Sequence, residues 1–220
     1  MARLFTYLEI TRVKASSPAN TVVVLDFETT GLSPVQGDRA IEIGAVKLEN
    51  GQITDRFQQL MNPGFRVSRF IEGYTGITNT MLADADDCAS VMDAFADFIG
   101  DANLVAHNAS FDKRFLDAEL ELIQRNYSGE FGCSLLVSRR LSQQASSHKL
   151  ADLVAYHQID NDGVFHRALA DAEVTASLWL LQLEMLRNEY GIAEPDFALM
   201  SKIAKTPKAS VANMLKKHAY

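Results

Sequence analysis

A chain of 220 residues with 47% hydrophobic content can bury a full core, and one domain is its simplest partition. No run approaches the ~18 uninterrupted apolar residues of a membrane span, and residues 1–20 lack a signal peptide's apolar block, so the expected compartment is cytoplasmic. The formal charge of −7 is uneven: Arg3, Arg12 and Lys14 outweigh Glu9 at one end, five lysines outweigh Asp196 at the other, and the acidic excess sits between them. That distribution argues against a grip on long duplex nucleic acid and suits a short grip on one strand end, or a partner surface.

Residues 22–32 read VVVLDFETTGL, four apolar residues that predict a buried strand and then Asp26 and Glu28. Strand side chains alternate, so both carboxylates face one spot. They repel there, and either share a proton or hold a cation between them. Mg²⁺ or Mn²⁺ takes about six oxygens, some of them water, so a cation site needs further acids from elsewhere in the chain. AIEIGAVKLENGQITDRFQQLMNP follows, predicting strands at 40–48 and 52–60 joined at Asn50-Gly51, a pair suited to positive φ. A helix is expected at about 88–99 with Gly100 as its stop, then a short strand in NLVAHN and a helix at about 111–124. GCSLLVSRR reads as a fifth strand, HKLADLVAYHQ as a short helix, and LADAEVTASLWLLQLEML as a long amphipathic helix ending before Gly191. Neither Cys88 nor Cys133 belongs to a CxxC pair, and both read as reduced and structural. A three-stranded meander followed by crossover units gives an α/β fold, a mixed sheet with helices on its faces. The expected division is an N-terminal extension at 1–19, a main domain at 20–190, and a basic C-terminal extension at 191–220 outside the core.

Further acids fall where such a fold would gather them. In LVAHNASFDKRF the strand ends near His107-Asn108, and Asp112 opens the next helix; in GVFHRALADAEV, His166 precedes the last helix and Asp171 lies in its first turn. Ends of adjacent strands are where α/β sites assemble. Each residue alone has an ordinary reading: Asp112 and Asp171 as acids favoured by a helix dipole, His166 as a capping or surface histidine. Glu42 reads equally as a core residue or a hydrogen-bonding neighbour of the site, and His148, His157 and His218 as surface or packing histidines.

In this order and spacing, DFETTGL with Asp26 and Glu28, HNASFD ending in Asp112, and His166-x4-Asp171 resemble the three motifs of the DEDDh 3′-5′ exonucleases, the DnaQ-like family. DRAIEIGAVKL, TGIT at Thr75–Thr78 and HKLADLVAYHQI also match, so the resemblance covers roughly residues 20–185; one departure is GCSLL, where many relatives have Asp-Thr and Ser134 takes the acidic place. The resemblance implies a ribonuclease H-like mixed five-stranded sheet flanked by helices. It also implies a two-metal hydrolysis of phosphodiesters, in which a pair of divalent ions activates the attacking water and stabilises the leaving 3′ oxygen.

By the same resemblance, Asp26 would bridge two Mg²⁺ or Mn²⁺ ions, Glu28 and Asp171 would hold the nucleophile-side ion, and Asp112 the other. His166 would be the general base, histidine being the side-chain type suited to take the water's proton near neutral pH. Thr29, Gly31 and Leu32 would line the pocket for the terminal nucleotide, with His107, Asn108 and Phe111 flanking it. The implied function is removal of nucleotides from the 3′ end of single-stranded DNA, as in proofreading or repair. The alternatives are a 3′-5′ exoribonuclease, or an inactive module that holds strand ends. Expected partners are a single-stranded 3′ end, DNA ahead of RNA, together with a polymerase subunit or a second copy of the chain, and no membrane.

Overall fold

The computed structural model describes residues 17–160 and 166–218. In chain order the elements are β1 (Val22–Thr29), β2 (Ala40–Glu49), β3 (Gln52–Leu60), α1 (Arg69–Thr75), α2 (Asn79–Ala83), α3 (Cys88–Ile99), β4 (Leu104–Ala106) and α4 (Ser110–Leu122). They continue as β5 (Phe131–Cys133), α5 (Ser134–Leu141), α6 (Leu150–His157), α7 (Ala168–Tyr190), α8 (Phe197–Lys205) and α9 (Lys208–His218). The strands form one mixed sheet in the order β3-β2-β1-β4-β5. β2 pairs antiparallel with both β1 and β3, while β4 lies parallel to β1 and to β5. Among the described residues no helix is long and apolar enough to cross a membrane.

β1 is the central strand, and its alternation sorts it between two cores. Val22 and Val24 pack with Trp179, Leu183 and Leu186 of α7 and with Phe197 of α8. Val23, Leu25 and Phe27 point the other way, among Phe95 of α3 and Phe115 of α4. Asp26 and Glu28 share the parity of Val24, so they emerge on the α7 side. Gly44 stands opposite Asp26 in the β1–β2 register. A Cβ there would lie 2.0 Å from the Leu169 nitrogen and 2.1 Å from the Ala168 carbonyl carbon, so glycine lets the start of α7 sit directly on the sheet beside Asp26.

Three expectations need correcting. GCSLLVSRR is strand only through Cys133; from Ser134 it is α5. β4 offers only three residues of ladder, and past them the chain buries Ser134, Val137 and Ser138 on one helical face against α7 and α8. There Gln182 of α7 donates to the Ser134 carbonyl and the Ser138 hydroxyl.

The long helix exists, but it is less one-sided than expected. α7 buries Val174, Thr175, Leu178, Trp179 and Gln182 over a wide arc, because the sheet covers one flank and α5 and α6 another.

The tail is part of the core and not an extension beside it. Phe197, Met200 and Ile203 of α8 and Val211 and Leu215 of α9 are buried with Trp179. Asp196 caps α8 by accepting from the Leu199 N–H at 2.6 Å. The entry to β1 is knitted to the same region: the Ala19 N–H donates to the Pro195 carbonyl, the Phe197 N–H to that of Ser17, and Trp179 Nε1 to that of Ala19 at 2.7 Å. Residues 1–16 of the expected N-terminal extension lie outside the described residues.

Candidate active site

β1 and β4 stay hydrogen-bonded only as far as Val24 and Val105, and beyond that pair they open a crevice where the strand order reverses. Past the opening the Phe27 N–H has no β4 partner, and Asp112, in the first turn of α4, reaches in to accept from it at 3.2 Å. Asp171 arrives from the first turn of α7, which Gly44 has allowed to approach. Glu28, Asp171 and His166 place one ligand atom each within 4.8 Å of one another, and Asp26 lines the same cleft.

The electrostatics record how closely the acids crowd. Asp26 is raised well above the ordinary carboxylate range, first by burial and then by the charges of Asp112, Asp171 and Glu28. Glu28 is raised to about 8, by burial and then by Asp171 and Glu42, with Arg167 opposing. Asp112 is raised to about 7 by burial, against the hydrogen bonds it accepts. Burial also raises Asp171, while the His166 N–H, which donates to it at 2.9 Å, pulls the other way. Among the described residues no hydrogen bond reaches the carboxylates of Asp26 or Glu28. Crowded oxygens that lack donors fit hard divalent cations and suit no neutral partner offered by the protein.

His166 sits just before α7 with φ +64, a left-handed conformation uncommon for a residue with a Cβ. Its backbone is held by Asp171, and its exposed ring packs on Tyr74, centroids 4.3 Å apart. Tyr74 in turn stacks on Phe70, which is 74% exposed, so α1 forms an aromatic wall across a cleft of about 630 Å³.

Thr29, Gly31, Leu32 and Phe111 line this cleft. The Thr29 hydroxyl donates to the Gly31 carbonyl at 2.6 Å, and Asp38 fills the space a Gly31 side chain would need while accepting from the Ser33 N–H. His107 and Asn108 do not join it. They line a separate pocket, and the His107 ring pairs with the Ser134 hydroxyl and the His148 carbonyl, both at 2.9 Å. A carbonyl can only accept, so Nε2 carries the proton, and burial lowers this histidine to about 4.

Sequence reasoning missed the α1 wall of Ser68, Phe70, Ile71 and Tyr74. The signal was present, since Ser68 caps the helix start and Gly76 takes the left-handed position after its end. Glu42, expected as a core residue or a hydrogen-bonding neighbour of the site, is both, and only its partner Arg167 was missed. Fully buried Glu42 bonds Arg167 at 2.8 Å and accepts from the Ala168 N–H, capping α7 from the neighbouring strand.

The mixed five-stranded sheet is ribonuclease H-like, and acidic side chains gather at its β1–β4 crevice. Residues 23–179 match the family model RNase_T, described as an exonuclease. The chain belongs to this family. It is 36% identical over 205 residues to a DNA polymerase III PolC-type of Caldanaerobacter subterraneus subsp. tengcongensis, covering 92% of this chain and 14% of that protein. It is 38% identical over 169 residues to a DNA polymerase III PolC-type of Staphylococcus aureus, covering 76% and 12%. The chain thus spans only about one-eighth to one-seventh of the length of these curated relatives. Among solved structures it resembles Exonuclease X in complex with 5′ overhanging duplex DNA, with a TM-score of 0.65, 26% identity, and coverage of 83% of this chain and 98% of that one. The nuclease domain of 3′hExo, a DEDDh family member bound to rAMP, shares the fold at 22% identity and a TM-score of 0.63, covering 80% and 96%.

Proposed function

We propose that the chain removes nucleotides one at a time from the free 3′ end of single-stranded DNA, assisted by two divalent cations, Mg²⁺ or Mn²⁺. The observation that carries this reading is the cleft lined by Asp26, Glu28, Asp171 and His166, with buried Asp112 close enough behind it to raise Asp26 by its charge. The four carboxylates would hold the cations, which when bound lower the pKa of the attacking water and stabilise the leaving oxygen.

The remaining work falls to the chain's own groups. His166 accepts the water's proton on its imidazole, and its peptide N–H, bonded to Asp171, anchors the backbone while the ring stays accessible. Tyr74 backs that ring and limits its travel. Thr29 and Gly31 shape the seat of the terminal nucleotide, with Leu32 and Phe111 as apolar walls that read no particular base. DNA is favoured over RNA because the relatives of higher identity carry DNA in their names, while those whose names mention RNA are less alike and support only the fold. A polymerase is the favoured protein partner, by analogy with the PolC-type relatives; a second copy of the chain is the alternative.

The test is digestion of matched DNA and RNA oligonucleotides with free 3′ tails, in Mg²⁺ or Mn²⁺ and in EDTA, beside a circular single strand. A ladder receding from the DNA 3′ end, absent in EDTA and absent from the circle, is the expected result. Cutting of the circle, or full activity in EDTA, overturns the proposal; a ladder on RNA alone transfers it to an exoribonuclease.

A further inference from the structure

Resting on that reading of the cleft, we infer that the neighbouring pocket behind His107 and Asn108 is a second anion site, which seats phosphates of the DNA strand upstream of the bond being cut. The pocket holds about 600 Å³ and is lined by residues from three parts of the fold: the β4–α4 loop, α5, and the turn into α6. One short loop separates it from the carboxylate cleft, with His107 and Asn108 on the pocket side and Phe111 on the cleft side. A strand whose 3′ nucleotide sits at Phe111 need only cross that loop to enter.

Its chemistry is the opposite of the cleft's. No Asp or Glu lines it, in a chain of net charge −7. Arg139, at the end of α5, and Lys149, at the cap of α6, are both exposed, and among the described residues neither forms an ion pair. The adjacent Arg140 shows the contrast, since its guanidinium is used internally, donating to the carbonyls of Thr206 and Leu136. The charge of Arg139 is felt by His107, which burial already keeps neutral, so the pocket floor is an uncharged ring bonded on both nitrogens.

The Ser146 hydroxyl completes the lining, and the α6 start has no side-chain cap to consume its leading N–H groups. Ser147 also borders the pocket, but its hydroxyl donates to Asp152, in the first turn of α6, at 2.5 Å and is spent there. Two unpaired cations from different elements, the Ser146 hydroxyl and a helix start around one cavity match a phosphodiester backbone. They offer nothing that reads bases. The site would also offset the repulsion that an acidic body imposes on a nucleic-acid strand.

The experiment compares wild type with Arg139→Gln, Lys149→Gln and the double variant on two substrates in Mn²⁺: a single-stranded DNA of about ten nucleotides, long enough to cross both sites, and an aryl ester of thymidine 5′-monophosphate, which fills only the cleft. KM for the strand should rise about 3- to 10-fold per single variant with kcat held, and the salt dependence of strand KM should flatten by roughly 0.7 in log–log slope per cation removed. Ester hydrolysis should not change, which also shows that the variants are folded. An unchanged strand KM and salt slope in the double variant would overturn the inference while leaving the exonuclease reading intact. Failure of the wild-type chain on both substrates would count against that reading instead.

Discussion

Neutralising one carboxylate of the cluster should make the cation-free protein more stable, although the substitution falls at the centre of the site. Glu28 and Asp112 are raised to about 8 and about 7, and Asp26 and Asp171 move in the same direction. A carboxyl raised in the folded state binds its proton there at pH values where the unfolded chain has released it. Its stabilising contribution is therefore complete below the ordinary carboxylate pKa near 4 and is lost as pH rises through about 7 to 8. A rise from 4.5 to about 8 at Glu28 alone corresponds to roughly 5 kcal/mol once deprotonated. Asp26→Asn removes its own desolvation and its repulsion of four neighbouring carboxylates, and with relaxation of the cleft should recover roughly 1–3 kcal/mol at pH 8.

For a chain of this size that is about 3–10 °C in Tm. The assay is thermal unfolding in EDTA and in millimolar Mn²⁺ at pH 5 and pH 8. Wild type should lose more stability than Asp26→Asn between those pH values in EDTA, and saturating Mn²⁺ should restore it by about 3 kcal/mol at a hundredfold excess over Kd. The variant should respond little to the cation. Should Asp26→Asn melt below wild type in EDTA at pH 8, or should both proteins respond alike to Mn²⁺, the view of this cluster as a repelling cage for cations is wrong.

His166→Ala should depress turnover by ~10² to 10⁴ while keeping the Mn²⁺-induced rise in Tm, because it removes the proton acceptor and leaves the carboxylates in place; single-turnover kinetics beside a melting curve separates the two effects. Gly44→Ala should cost about 1–3 kcal/mol or more and lower activity as well, since its methyl would push α7, and Asp171 with it, off the sheet. Unchanged activity in a folded Gly44→Ala protein would show that Asp171 does not depend on that close approach. Phe197→Ala should cost about 3–5 kcal/mol by denaturant unfolding, against little effect for a tail outside the core.

The parts of this molecule that could be read from the sequence are those where a short-range period decides the outcome. β1 could be placed because VVVL is a buried run, and i, i+2 alternation then aims Asp26 and Glu28 together whatever surrounds them. The hairpin was marked by Asn50 and Gly51, both at positive φ. The misread parts turn on long-range partners. Whether Ser134–Leu141 continues a strand depends on how far β4 extends, and β4 ends at Ala106. The tail looked solvated because its lysines are prominent, yet α8 needs only one face of Phe197, Met200 and Ile203 to dock on Trp179.

His107 and Asn108 mark the sharpest limit, because closeness in sequence to Asp112 does not carry orientation. Asn108 takes φ +69 and turns the loop there, so the residues before it face Ser134 while Phe111 and Asp112 face the carboxylates. One left-handed residue therefore separates an uncharged, hydrogen-bonded histidine from an acid in a crowded cluster five positions on. The same device recurs at His166, where φ +64 directs the imidazole over the cleft while its N–H bonds Asp171. In both places strain in the backbone is offset by a hydrogen bond between the turn and the following helix: the Phe111 N–H to the Asn108 carbonyl in one, the His166 N–H to the Asp171 carboxylate in the other. That pairing is why the site's two helices can each deliver an acid in their first turn and a differently aimed side chain just before it.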